Sequence, residues 1–152
     1  VSTAVLPAAA QRVLTVRHEC DVAPVIAAAQ RFCAAQGASA VMAAHVATAA
    51  SELANNLWLH AERGGRISLL ALARGPADAA GQVPERGVEL RAEDDGPGIA
   101  DPRLALTEGW SSAGGMGCGL PGVQRLMDDF ELDTALGRGT RVVARKWWRP
   151  KR

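Results

Sequence analysis

Two glycine-rich turns, brought close together in the chain, constrain this sequence more than any other feature. From Glu93 to Met127 it runs EDDGPGIADPRLALTEGWSSAGGMGCGLPGVQRLM. An acidic DxGxG turn spans Asp94 to Gly98, and a second turn, Gly115-x-Gly117-x-Gly119, passes through Leu120 straight into an amphipathic segment. The first turn offers a carboxylate that can read a base edge. The second offers bare backbone amides at a helix N-terminus, where hydrogen bonding and the helix dipole both favour phosphate. A fold that holds both turns beside one another holds a nucleotide pocket.

The elements around these turns follow from periodicity. Val13 to His18 is expected as a short strand, and Asp21 as the cap of a helix through Val25, Ile26 and Phe32 that stops at Gly37. Ser39 begins a longer helix whose apolar stripe is Met42, Val46, Ala49, Leu53 and Leu57, ending near Gly64 and Gly65. Arg66 to Ala73 is almost continuously apolar, as a central strand is, and Gly75 to Gly87 has no periodicity and is expected as a long surface connection. Val88, Leu90 and Ala92 alternate with Glu89, Arg91 and Glu93. That is the pattern of a half-buried strand, and its phase puts Asp94 on the inward face and Asp95 on the outward one.

After the first turn, Asp101 and Pro102 predict a short helix over 102–108, and Leu120 to Phe130 a helix with Val123, Leu126, Met127 and Phe130 on one stripe. Glu131 to Ala135, the Gly137-Arg138-Gly139 turn, and Thr140 to Trp148 form a hairpin pattern. Strands and helices mix without strict βαβ alternation. The expectation is an α+β two-layer sandwich, a mixed β-sheet with helices on one face, in a single domain over 1–152.

Composition narrows the partners. A formal charge of +1 points to no polyanionic ligand, and four Trp, two Phe and no Tyr leave little aromatic surface for single-stranded nucleic acid. The basic ending Arg145 to Arg152 is expected as a solvated tail. Cys20, Cys33 and Cys118 form no CxxC pair, and no stretch reaches the roughly 20 apolar residues that cross a bilayer. A cytoplasmic protein without nucleic-acid or membrane partners is expected.

Glu52 and Asn56, four residues apart on the long helix, share one face beside the Leu53/Leu57 stripe. Asn56 can give a hard carbonyl oxygen to Mg²⁺, and Glu52 can orient or deprotonate an attacking hydroxyl or water. Taken alone, a Glu and an Asn at this spacing are what an ordinary polar helix face carries, making an i,i+4 contact. Asp94 can accept a hydrogen bond from an exocyclic amine such as adenine N6, and Gly96 and Gly98 remove side chains where ligand and backbone meet. An isolated DDGPG is also a plain turn. The second turn, with Gly114 beside it, is no Walker loop, because no Lys-Ser/Thr follows. Trp110 to Ala113 has the character of a lid or of a disordered link, and the Thr140 hydroxyl lies near the base or is satisfied within its hairpin.

The order of the four elements is more specific than any one of them: Glu-x-x-x-Asn on a helix, then DxGxG, then GxGxGL, then GxGT. In that order the sequence resembles the GHKL ATPase superfamily, matching its N box and three glycine boxes over residues 52 to 140. SELANNLWLHA, AEDDGPGI and GGMGCGLPGVQRLMDDFEL are similar to the RsbT-type serine/threonine switch kinases of bacterial stressosomes.

The resemblance implies a Bergerat-type ATP pocket, with Glu52 as the catalytic carboxylate, Mg²⁺ at Asn56 and adenine at Asp94. The remaining nucleotide contacts would fall on Gly96, Gly98, Gly115, Gly117, Gly119, Leu120 and Thr140. It implies phosphorylation of STAS-domain proteins, stressosome scaffold and antagonist, and activation of a downstream phosphatase or other regulator. Asn55 and His60 depart from what many relatives carry at those places. Three rival readings remain beside it: an RsbW-type anti-sigma factor kinase, a nucleotide-sensing interaction module with little turnover, and a histidine-kinase catalytic domain whose phosphoacceptor element another protein would supply.

Overall fold

The computed structural model describes residues 3–5, 10–82, 84–107 and 119–150. Its strands are β1 (Thr3–Val5), β2 (Gln11–Val16), β3 (Gly65–Arg74), β4 (Glu85–Asp94), β5 (Asp129–Ala135) and β6 (Gly139–Trp148). Its helices are α1 (Val22–Ala35), α2 (Ala40–His60), α3 (Pro102–Ala105) and α4 (Gly119–Leu126). The sheet runs β1-β3-β4-β6-β5, and β2 pairs with β3 further along the same edge as β1. Every described pairing is antiparallel, so the expected mixed sheet is corrected to an antiparallel one. A strand that returns through a turn or a helix to the neighbouring position can pair antiparallel without a crossover, which a parallel pair would need.

The α+β two-layer arrangement is as expected. Val88, Leu90, Ala92, Val142 and Ala144 on one sheet face join Ile67 and Leu69 beneath the helices. From above, Val25, Ala28, Ala29 and Cys33 of α1 and Val46, Ala50, Leu53, Ala54 and Leu57 of α2 close the core. The alanines let α1 and α2 approach closely, since interaxial distance follows side-chain size at the contact. Burial pushes the Cys33 thiol up to about 12, so it behaves as a small apolar residue.

Several boundaries differ from the sequence pattern, each for a local reason. Ser39 caps α2 as expected, its Oγ accepting from Met42 N at 3.2 Å. Asp21 stands at the start of α1, but its carboxylate turns back to accept from Arg17 N at 2.8 Å and His18 N at 3.0 Å. Those two amides, first Arg17 and then His18, hold its pKa below the usual value. β4 begins at Glu85, inside the expected connection, because Arg74 and Glu85 pair across the strands at 2.6 Å. α3 ends at Ala105, and residue 108 lies outside the described residues.

Phe130, expected on the last turn of a helix, belongs to β5. Phe130, Leu132 and Thr134 already alternate there, and their period of two overrides the helical stripe.

As far as Trp148 the basic ending is not a solvated tail. Arg145 to Trp148 form the end of β6, and Lys146 is only 8% exposed. Its Nζ donates to the Leu126 carbonyl at 2.7 Å, placing a cation at the C-terminus of α4, where the dipole favours one. Arg145 pairs with Glu89 at 2.8 Å, and Arg91 pairs with the same carboxylate from the other side. Glu89, outward by strand phase, is buried between these guanidiniums. Asp128 completes the junction by accepting from Trp147 N at 2.8 Å. The far end of α4 is thereby fixed to the sheet, which holds its N-terminus in place.

Candidate functional site

A cleft of about 680 Å³ opens between the second half of α2, the ends of β4 and β6, the segment 97–105 and the start of α4. Glu52, Asn56, Asp94, Gly98, Gly119, Leu120 and Thr140 all line it. Seven candidates taken from four separate sequence motifs therefore surround one space. Gly115 and Gly117, with the expected lid from Trp110 to Gly114, lie outside the described residues.

The helix side of the cleft is set by packing. Leu53 and Leu57 are buried in the core, and this turns Glu52 and Asn56, on the adjacent face of α2, toward the cleft. Both side chains are half-buried, and among the described residues neither enters a hydrogen bond or ion pair. Asn55 is engaged differently, accepting from Trp58 Nε1 at 2.9 Å.

The sheet side is set by register. Ala92 pairs with Val142 and Asp94 with Thr140, so two apolar residues form the floor and two polar ones stand at its end. Asp95 is exposed and points away, as the strand phase requires. Asp94 Oδ1 accepts from Gly96 N at 2.8 Å, which orients the carboxylate and leaves Oδ2 for another donor.

The two glycines of the first turn answer to contacts within the protein itself. Gly98 has φ +78°, and a Cβ there would strike the Ala135 carbonyl oxygen. Gly96 does not line the cleft. It faces a polar depression shared with Thr15, Arg17 and Arg63 on the far side of Asp94, and a Cβ there would sit 2.9 Å from Asp94 Oδ1. The turn is also clamped to the β5–β6 hairpin, Gly137 N donating to the Pro97 carbonyl at 3.0 Å and Ile99 N to Thr134 Oγ1 at 2.9 Å.

Sequence reasoning missed the apolar wall formed by Trp58, Ile99, Leu104 and Ala105. Ala92 and Val142 precede and follow Asp94 and Thr140 at strand spacing, so the floor was recoverable from alternation. Trp58 and Leu104 were not, because only tertiary packing brings α2 and α3 to the same opening.

Donor chemistry limits what this cleft can hold. Among the described residues no three His, Cys, Asp or Glu side chains gather as a metal site. The half-buried, unengaged Asn56 carboxamide beside Glu52 suits a cation that takes one protein oxygen and completes its shell with phosphate and water, as Mg²⁺ does. At the opposite side, α4 begins at Gly119 with φ +42° and turns its N-terminus into the cleft, with Gly119 and Leu120 on the lining.

Comparison with known proteins agrees with this geometry. The histidine kinase-like ATPase domain family matches residues 14–146. The serine/threonine-protein kinase RsbT of Bacillus subtilis is 44% identical over 114 residues, covering 74% of this chain and 78% of that protein. Among solved structures, the RsbU and RsbW domains of Rv1364c from Mycobacterium tuberculosis superpose with a TM-score of 0.58 at 20% identity, over 93% of this chain. This chain spans 34% of that longer protein. The mycobacterial sensor histidine kinase MprB superposes at 0.52 with 18% identity, over 93% of this chain and 99% of its own. At those identities the two structures speak for the fold alone. The chain belongs to the histidine kinase-like ATPase domain family, the GHKL superfamily, and within it is an enzyme similar to the RsbT-type serine/threonine protein kinases.

Proposed function

We propose that this protein transfers the γ-phosphoryl group of ATP to a serine or threonine hydroxyl on a STAS-domain partner, acting as a partner switch. The observation that carries the reading is the convergence of Glu52, Asn56, Asp94, Gly119 and Thr140 on one cleft. In this reading adenine lies at the sheet end, donating its exocyclic amine to Asp94 Oδ2. The phosphates lie against the N-terminus of α4, at Gly119 and Leu120. Asn56 would hold Mg²⁺, which when bound neutralises phosphate charge.

The residues of the chain perform the remaining work by placement. Phosphoryl transfer asks little covalent chemistry of a protein and is accelerated mainly by orientation and by charge stabilisation. Glu52 stands one helical turn from Asn56, on the same face. It orients the incoming hydroxyl and accepts its proton as the oxygen attacks. The γ-phosphoryl passes to that oxygen, and ADP departs.

The 44% identity to RsbT supports protein substrates over free hydroxyl compounds. A STAS-domain scaffold or antagonist is the substrate class proposed, and release from it frees the kinase to activate a downstream regulator such as a phosphatase. No helix among the described residues is long and apolar enough to cross a membrane. A cytoplasmic setting belongs to the same proposal.

Incubation with γ-labelled ATP, Mg²⁺ and a STAS-domain protein encoded beside this chain tests the reading. Label should appear on a serine or threonine of the partner, identified by peptide mass. Tight ATP binding with no label on any such partner would instead favour a nucleotide-sensing module. Capture of a sigma factor in place of a STAS protein would favour the anti-sigma role.

A further inference from the structure

The hydrogen bonds behind Thr140 bear on which base the cleft accepts, an inference that rests on the ATP reading above. Thr134 lies on β5 directly across from Thr140 on β6, and it does not line the cleft. Its Oγ1 makes three contacts. Ile99 N donates to it at 2.9 Å, the Gly139 carbonyl lies 3.1 Å away as an acceptor, and Thr140 Oγ1 lies at 2.9 Å. A threonine hydroxyl has one proton and two lone pairs. The Ile99 amide takes one lone pair, and the Gly139 carbonyl, having no proton, can only receive the hydroxyl's own. One lone pair is then left, and Thr140 must donate to it. Any other assignment leaves one of the three contacts without a hydrogen bond, a cost that half-buried polar groups avoid.

The consequence for the cleft is one of polarity. With its proton committed to Thr134, Thr140 presents only lone pairs to the ligand. Asp94, its partner across the β4–β6 ladder, presents Oδ2, since Oδ1 is occupied by Gly96 N. Two acceptors thus stand side by side with no donor between them. We propose that Thr134 is a positioning residue for base selectivity: by fixing the Thr140 proton it makes the cleft accept a 6-amino purine nucleotide and reject a 6-oxo purine. An amino group at that edge meets both acceptors favourably. A carbonyl at the same position meets two oxygens and is repelled. Without Thr134 the Thr140 hydroxyl is free to rotate and donate, and the rejection of a carbonyl weakens.

The test compares ATP with ITP, which carries a carbonyl where ATP carries the amine. Dissociation constants for both are measured by calorimetry with Mg²⁺ on the wild-type chain and on Thr134→Val, Thr134→Ala and Thr134→Ser. Thermal melting confirms that each variant is folded, and the two hydroxyl-free variants guard against a fold defect in either. The wild type should prefer ATP. Thr134→Val and Thr134→Ala should lower the ITP/ATP ratio about 10-fold, the order of one hydrogen bond of changed sign, and Thr134→Ser should keep the wild-type ratio. In a Thr140→Val background, Thr134→Val should change the ratio no further, because the effect passes through Thr140.

A purely structural role would weaken both nucleotides together, and an unchanged ratio in the hydroxyl-free variants would overturn the proposal. A wild-type chain that binds neither nucleotide would overturn the ATP reading itself, and this inference with it. A wild type that prefers ATP while its Thr134 variants keep that preference would overturn this inference alone.

Discussion

The two ends of the cleft are built on opposite principles. At the sheet end every polar group is already tied down: Asp94 to Gly96, Thr140 to Thr134, Ile99 to Thr134, and Gly137 to Pro97. At the helix end, Glu52 and Asn56 project from a rigid backbone with no hydrogen bond among the described residues. A planar base with fixed donors and acceptors is recognised best by groups that cannot reorient. A reacting phosphoryl group needs side chains whose partners arrive only with the substrate, because interactions made in the transition state and not before are the ones that raise rate. The difference therefore separates binding from chemistry in space, and substitutions at the two ends should separate them in measurement.

The largest effect belongs to the helix end. Glu52→Gln keeps shape and removes the base, so phosphotransfer should fall by about 10²- to 10⁴-fold, the usual worth of a general base. The dissociation constant for ATP should stay within about 2-fold, since Glu52 is committed to no group of the resting cleft. Single-turnover transfer and calorimetry on the same preparation check both halves. A variant that lost affinity and rate together would erase the proposed separation.

Asp94→Asn is the matching change at the sheet end. The carboxamide replaces an acceptor with a group whose amine faces the adenine amine or displaces the Gly96 amide. Loss of a hydrogen bond to a charged group costs about 1.5–3 kcal/mol, so ATP affinity should drop about 10- to 150-fold. Transfer measured at saturating ATP should fall much less, as judged from kcat against KM. A drop in kcat equal to that of Glu52→Gln would show that the two ends act as one.

Much of this arrangement was legible in the sequence, for reasons that differ residue by residue. Strand alternation through Val88, Leu90 and Ala92 chose Asp94 over Asp95, and i,i+4 spacing put Glu52 and Asn56 on one face, because both are local consequences of backbone geometry. The role of Thr134 was recoverable but not recovered: a turn centred on Gly137 sets Ala135 opposite Gly139 and so Thr134 opposite Thr140. Lys146 and Glu89 were not legible. A lysine in a basic ending and a glutamate at an outward position signal solvent, and only the meeting of β4, β6 and the end of α4 turns them into buried, paired groups. The antiparallel sheet was hidden for the same reason, since strand direction depends on topology and not on any strand's own residues.

Backbone glycines give a smaller and more discriminating test of the clamped end. Gly98 and Gly137 share nearly the same φ, +78° and +79°. A Cβ at Gly98 would meet the Ala135 carbonyl oxygen, whereas one at Gly137 meets nothing within 4 Å. Gly137→Ala should therefore cost only the left-handed backbone penalty, about 1–2 kcal/mol. Gly98→Ala should cost about 1–2 kcal/mol more, because the hairpin must move away from the first turn. Urea denaturation of the two variants isolates the contact from the conformation. Equal costs would mean that the clamp between the turn and the hairpin is slack.

The smallest expected effect concerns the side-chain hydrogen bond between Asn55 and Trp58 on the helix side of the cleft. Both residues line the cleft, but their bond lies along α2 and joins neither Glu52 nor Asn56. If it only stiffens the wall, Asn55→Ala should lower stability by about 0.5–1.5 kcal/mol, the net worth of an ordinary hydrogen bond. ATP affinity, the ITP/ATP ratio and the transfer rate should then all stay within about 2-fold of wild type. Release of the indole makes the outcome visible, since Trp58 fluorescence should become more exposed to an added quencher. A larger loss of transfer without loss of ATP affinity would place the Trp58 wall on the path of the incoming protein hydroxyl. Asn55 would then belong with Glu52 among the groups that act only when the partner is present, and the division between a preformed sheet end and a waiting helix end would extend one turn further along α2.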